Sequence, residues 1–261
     1  MLGRWRRLRR SQRRGAEGYR AYVVGDVHGR LDLLQGLLKI IGEDHAARAG
    51  EAKLLLVFLG DLIDRGPDSR GVVELIRAGE MPGSRTVTLC GNHEEVLLRL
   101  LDGERGLFEQ WLRFGGDACL QSYGGDPQLL ESLTEKQALE RLRALVPREH
   151  RDFLAGLADT FRFGDYLFVH AGIRPGLALQ DQTPRDLRWI RQAFLDDRRD
   201  HGMTVVHGHT ITEEVEVRPN RIGIDTGAYR FGVLTALVIE GGEHWLLQQR
   251  GPVAAVMEDR R

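Results

Sequence analysis

The segment Gly60-Asp61-Leu62-Ile63-Asp64-Arg65-Gly66 constrains the fold of this chain more than any other. It follows an apolar run at residues 54–59, which has the length and composition of a fully buried strand. Two carboxylates and an arginine therefore emerge where that strand ends, between glycines that permit a tight turn. In open α/β sheets the carboxyl ends of strands are where ligands bind. Alone, the segment also reads as a surface turn with a local ion pair. It does not stand alone: Gly25-Asp26-Val27-His28-Gly29 precedes it, Gly91-Asn92-His93-Glu94 follows it, and each closes a short apolar run.

The flanking pattern alternates strand and helix. Residues 22–24, 53–59 and 86–90 read as strands. Leu31, Leu34, Leu37, Leu38 and Ile41 recur at helical spacing, and Val72, Val73, Leu75 and Ile76 give a second helix its apolar side. This βαβαβ order predicts a parallel sheet with right-handed crossovers. Residues 95–160 read as a helical cap inserted between sheet strands, broken at Gly115-Gly116 and Gly124-Gly125. Strand-like runs then recur at 166–169, 204–206, 215–217, 221–224, 233–239 and 244–247, which predicts a second sheet packed on the first. The expected organisation is a basic, disordered arm at 1–18, one domain at 19–250 and a tail at 251–261.

At 261 residues and a formal charge of −1, the chain can bury one sizeable core, and its charge argues for neither nucleic acid nor an acidic partner. The charge is uneven: residues 1–14 hold seven arginines and no acid, without the apolar stretch of a secretory signal. No run reaches the roughly 18 apolar residues of a membrane span. Cys90 and Cys119 form no disulfide framework, and a reducing cytoplasm fits both.

Asp26, His28, Asp61, Asn92, His170 and His209 each offer an oxygen or imidazole ligand just after an apolar run. Mixed carboxylate, amide and imidazole ligation without thiolate favours manganese, iron or zinc. Six ligand residues exceed what one open site needs, and two ions bridged by one carboxylate would use them. The spacing of Asp26 and His28 would place both on one side of an extended segment. His207 and His209 are equivalent by this pattern. His45, His150, His201 and His244 lack such a context and read as surface histidines.

Together these motifs, with His170-Ala171-Gly172, Gly208-His209-Thr210 and Asp225-Thr226-Gly227, resemble in order those of the calcineurin-like metallophosphoesterases that include the serine/threonine protein phosphatases. The resemblance spans residues 21–239 and is strongest to the compact bacterial and phage branch, which Trp111 through Gly116 also resembles. It implies an α/β fold of two packed mixed β-sheets flanked by helices, an αββα sandwich with a helical cap. It makes Asp26, His28 and Asp61 ligands of one divalent ion, and Asp61, Asn92, His170 and His209 ligands of a second. It picks His209 over His207, His93 as general acid, Asp64 as its orienting partner, and Arg65 as a phosphate-binding arginine. Arg191 resembles the second such arginine, with Arg188 or Arg185 as alternatives. Manganese is the expected metal, with iron or zinc as alternatives.

Chemically, two ions about 3.5–4 Å apart can bridge a water, lower its pKa and aim it in line at phosphorus. An acid at His93 then serves a poor serine or threonine alkoxide leaving group. The expected activity is a metal-dependent phosphoprotein phosphatase acting on phosphorylated protein or peptide. The alternatives are a dinucleoside polyphosphate hydrolase and, more remotely, an inactive metal-stabilised binding module. Trp111, Phe114 and Tyr123 are candidate walls for a nucleotide pocket, although cap aromatics more often belong to a core.

Overall fold

Side-chain alternation along two central strands divides the molecule into layers. In the strand Tyr19–Val24, Tyr22 and Val24 enter one apolar cluster while Ala21 and Val23 enter another. The strand Lys53–Phe58 repeats the division, with Leu54, Leu56 and Phe58 on the first side and Leu55 and Val57 on the second. Both faces of their sheet are therefore covered, as near-continuous apolar strands require.

The computed structural model describes residues 12–48, 50–79, 81 and 83–253, and the backbone of 6–7. The first half holds β1 (Arg6–Arg7), β2 (Tyr19–Val24), α1 (Leu31–Ala47), β3 (Lys53–Phe58), α2 (Ser69–Ala78), β4 (Arg85–Thr88) and α3 (Asn92–Leu101). The helical insertion continues with α4 (Phe108–Trp111), α5 (Asp117–Ser122), α6 (Pro127–Glu131), α7 (Glu135–Leu145) and α8 (Arg148–Ala155). The second half holds β5 (Thr160–Phe163), β6 (Tyr166–Val169), α9 (Pro184–Trp189), α10 (Gln192–Leu195), β7 (Thr204–His207), β8 (Glu216–Val217), β9 (Arg221–Gly223), α11 (Ala228–Phe231), β10 (Val233–Glu240) and β11 (Glu243–Arg250).

Strands β2, β3 and β4 pair in parallel, as the βαβαβ order predicts, and β10, β11 and β1 extend the sheet with antiparallel pairings. The order is β1-β11-β10-β2-β3-β4. The second sheet is also mixed, with order β5-β6-β7-β9-β8. Val23, Val57, Leu237, Phe168 and Val206 fill the space between the sheets. Leu167, Val169 and Val205 on the outer face of the second sheet meet Leu187 and Phe194 of α9 and α10. The layers are thus helix, sheet, sheet, helix. The insertion shares the first cluster through Leu97, Leu100, Trp111, Leu120 and Leu142, so it packs on the α1–α2 side.

Three local expectations are corrected. Strand β5 begins where a helical reading ended; it is an edge strand whose Phe161 and Phe163 stack on Phe168. His150 and His244 are buried, not surface residues: His150 bonds Tyr123 and Glu74, and His244 bonds Tyr166. His45 and His201 are half-buried. Part of the basic arm is bound to the domain: β1 pairs with β11, Arg13 chelates Asp200, and the Gly15 amide donates to Gly241. Residues 1–5, 8–11 and 254–261 of the expected arm and tail lie outside the described residues. No helix among the described residues is long and apolar enough to cross a membrane.

Candidate active site

All the motifs converge at one end of the two sheets, because each follows the carboxyl end of a strand. Gly25 follows β2, Gly60 follows β3, Gly91 follows β4, His170 follows β6 and Gly208 follows β7. The turns interlock. The Val27 and His28 amides both donate to the Asp61 carbonyl, and the Gly208 amide donates to the His170 carbonyl. Asp26 and His28 are therefore brought in by a tight turn, not by the extended segment their spacing suggested. His28 has φ 46°.

Among the described residues, five non-glycine residues have positive φ: His28, Asp61, Asp64, Arg65 and His209. Every one is a site residue read from the sequence. Such backbone costs on the order of 1–3 kcal/mol per residue and persists only where the surroundings over-determine it. Glu94 is one part of that restraint. Its buried carboxylate accepts from the amides of Asp61, Leu62, Ile63 and Gly91 at 2.8–3.3 Å, binding two motif turns together. Glycines supply another part, since a Cβ at Gly208 would overlap the Asp26 carboxylate and one at Gly91 the Asp61 carboxylate.

The candidate ligand atoms fall into two sets that share Asp61. His28, Asp61 and His93 form one, and Asp61, His170 and His209 the other, all buried. Asp61 Oδ2 lies 3.6 Å from His28 Nε2 and 3.5 Å from His170 Nε2. His170 Nε2 also lies 3.0 Å from Asn92 Oδ1 and 3.2 Å from His209 Nδ1. Asp26 stands beside both sets, with Oδ2 accepting from the His209 amide at 2.9 Å. Asp26 Oδ1 and His209 Nε2 are buried without a hydrogen-bond partner. His207 points elsewhere, bonding the Gly208 carbonyl and Arg221. Clustered imidazoles, carboxylates and an amide oxygen with orphaned buried acceptors fit divalent cations.

Electrostatics agree. Burial holds His28, His170 and His209 below the usual imidazole range, so they are neutral and able to ligate. Burial works against ionisation of Asp61, yet His170, His93, His28 and His209 hold its carboxyl well below the usual carboxylate range. Burial and the neighbouring Asp225 and Asp61 push Asp26 up, and burial pushes Asp225 to about 6. Nearby cations would relieve that repulsion.

His93 and Asp64 form a buried pair, Nδ1 to Oδ2 at 2.6 Å. Burial opposes protonation of His93, but Asp61 and the Asp64 hydrogen bond outweigh it and raise its pKa. The Asp64 carboxylate also accepts from Trp111 Nε1 at 3.1 and 3.2 Å. Half-buried Arg65 donates from Nη1 to the Tyr229 hydroxyl at 2.8 Å, its guanidinium over that ring. Arg191 is exposed, and its charge acts on His209. Arg188 is committed to Asp159 and Glu95.

Sequence reasoning assigned no role to Glu94, Tyr229 or Asp225. Glu94 and Asp225 stood inside motifs, and Tyr229 lies two residues past one; only their burial and partners reveal the contacts. Of the three cap aromatics weighed as pocket walls, Trp111 and Tyr123 are buried, while Phe114 is 56 % exposed.

A two-sheet αββα sandwich with paired His/Asp sets at its strand ends defines a metallophosphoesterase. The profile of the calcineurin-like phosphoesterases matches residues 19–244, and the chain belongs to that family. It is 30% identical over 238 residues to serine/threonine-protein phosphatase 1 of Salmonella typhimurium, covering 88% of this chain and 96% of that protein. It is also 27% identical to a symmetrical bis(5'-nucleosyl)-tetraphosphatase of Dechloromonas aromatica, covering 84% and 92%. The fold matches the solved structure of a candidate diadenosine tetraphosphatase at TM-score 0.61 and 23% identity, over 90% of this chain and 96% of that one.

Proposed function

We propose that this metallophosphoesterase is a serine/threonine-type phosphoprotein phosphatase that hydrolyses phosphomonoesters directly, without a covalent phospho-enzyme. The observation that carries the reading is the buried His93–Asp64 pair, 2.6 Å apart and beside the carboxylate shared by both ligand sets. Asp26, His28 and Asp61 would hold one divalent ion, and Asp61, Asn92, His170 and His209 the other, with manganese preferred and iron or zinc as alternatives. When bound, the ions supply Lewis acidity and an activated water at neutral pH.

The chain's own residues do the rest. Arg65 and Arg191 bind the phosphoryl oxygens, a role that planar guanidinium donors suit. Tyr229 holds Arg65 by its hydroxyl. His93 delivers a proton to the departing alkoxide, and Asp64 fixes the ring by accepting from Nδ1. The raised pKa keeps that proton available near neutrality.

Two observations support a protein substrate over a dinucleotide. The relative from Salmonella typhimurium is a protein phosphatase by name. Burial of Trp111 and Tyr123 removes two of three cap aromatics that could stack on a base. The relative from Dechloromonas aromatica keeps dinucleoside polyphosphate hydrolysis as the second reading. Cytoplasmic residence suits the two buried, unpaired cysteines.

The acid role is tested with His93→Asn. It is expected to cost about 10²–10⁴-fold on alkyl phosphates and far less on an activated aryl phosphate. Equal losses on both would remove His93 from that role.

A further inference from the structure

The helical insertion reaches the acid pair through one side chain and one carbonyl, both at its sharpest break. After α4 the helix kinks: Phe114 and Gly115 leave helical geometry, and Gly115 has φ 99°. On one side of the kink, Trp111 points its Nε1–H at both oxygens of Asp64. On the other, the Gly115 carbonyl accepts from the Arg65 amide at 2.9 Å. The kink needs its glycines, since a Cβ on Gly115 would meet the Arg65 backbone and one on Gly116 would overlap the Trp111 indole.

Asp64 and Arg65 are consecutive residues in left-handed backbone, φ 70° and 68°, which side chains rarely adopt. The Asp64 amide also donates to Ser69 Oγ, the Gly66 amide to the Asp64 carbonyl, and Arg65 Nη1 to the Tyr229 hydroxyl. The Asp64 carboxylate is fully buried and accepts from His93 Nδ1 and Trp111 Nε1. Of these two donors, Trp111 comes from the insertion. Beside His93, it is the indole N–H that sets where the Asp64 oxygens sit.

We propose that Trp111 is a positioning residue for proton delivery: its indole N–H fixes the Asp64 carboxylate, which fixes the His93 ring, while the Gly115 carbonyl fixes Arg65. The insertion is then a built part of the reacting constellation, not only a cover over the sheet ends. A carboxylate that loses this donor rotates, and the His93 ring loses its alignment toward the leaving oxygen. The inference rests on the general-acid reading of His93.

The test compares Trp111→Phe, Asp64→Asn and the double variant, each loaded with Mn²⁺, on phosphate esters of graded leaving-group pKa. Phenylalanine keeps the apolar packing and deletes the N–H. The expected loss for Trp111→Phe is about 10-fold in kcat on the poorest leaving group and under about 3-fold on p-nitrophenyl phosphate, the scale of one hydrogen bond to a charged acceptor. Asp64→Asn should show the same trend more strongly, and the double variant should be no worse than Asp64→Asn. If Asp64→Asn is leaving-group dependent but Trp111→Phe loses activity uniformly, or the two losses multiply, Trp111 only packs and the proposal falls. If Asp64→Asn itself shows no such dependence, the acid-pair reading fails first and takes this inference with it.

A second readout needs neither turnover nor a folded Trp111 variant. The chain has four tryptophans. In metal-free protein, one indole N–H resonance should move strongly upfield in Asp64→Asn. Four unmoved indole signals would overturn the contact.

Discussion

At the scale of single residues, the site depends on side chains that touch no substrate. Glu94 accepts four backbone amides from the turns that carry Asp61 and Asn92. Glu94→Gln would turn an NH₂ toward amide donors and leave buried N–H groups unpaired, at about 1–3 kcal/mol each. The expected result is a lower melting temperature together with weaker metal retention, read by calorimetry and metal analysis. Tyr229→Phe keeps the ring under Arg65 but removes the hydroxyl at 2.8 Å. It is expected to weaken phosphate inhibition and raise KM several-fold, on the order of one hydrogen bond, with the melting temperature unchanged. Gly208→Ala should abolish metal binding while the fold persists, because its methyl overlaps the Asp26 carboxylate.

At the scale of elements, the apolar runs announced β2, β3, β6, β7 and β10 because each is buried on both faces and leaves an unbroken hydrophobic signature. Strand β5 was hidden because an edge strand with an exposed Arg162 lacks that signature. The convergence of the candidate ligands was legible, since Asp26, His28, Asp61, His170 and His209 all follow strand ends. The local geometry was not: His28 sits in a left-handed turn held by the Asp61 carbonyl, a long-range contact that no local pattern encodes. The same holds for Trp111, whose burial against Asp64 depends on how the insertion folds back. At this scale the His93–Asp64 link has a pH signature. Asp61 and the Asp64 carboxylate raise the His93 pKa, so the alkaline fall in activity on poor leaving groups should lie above about 6.5, the ordinary imidazole value. Asp64→Asn should shift that alkaline limb to lower pH, as a pH–rate profile would record.

At the scale of the whole molecule, two sheets and the helical insertion meet around buried carboxylates whose charge divalent cations would offset. Burial, then Asp225 and Asp61, pushes the Asp26 carboxyl up, and burial with Asp61 pushes Asp225 up to about 6. Metal binding should therefore release protons below about pH 6, and affinity should rise with pH through that window. Calorimetry in buffers of different ionisation enthalpy reads that release. The proposed protein substrate agrees with the burial of Trp111 and Tyr123, two of the three cap aromatics. The most direct test takes metal-stripped protein with and without Mn²⁺ and compares kcat/KM on a phosphothreonine peptide and on diadenosine tetraphosphate. Strong Mn²⁺-dependent peptide turnover with little dinucleotide cleavage is the predicted result. Preferential cleavage of the dinucleotide, or turnover of neither, would contradict a protein phosphatase.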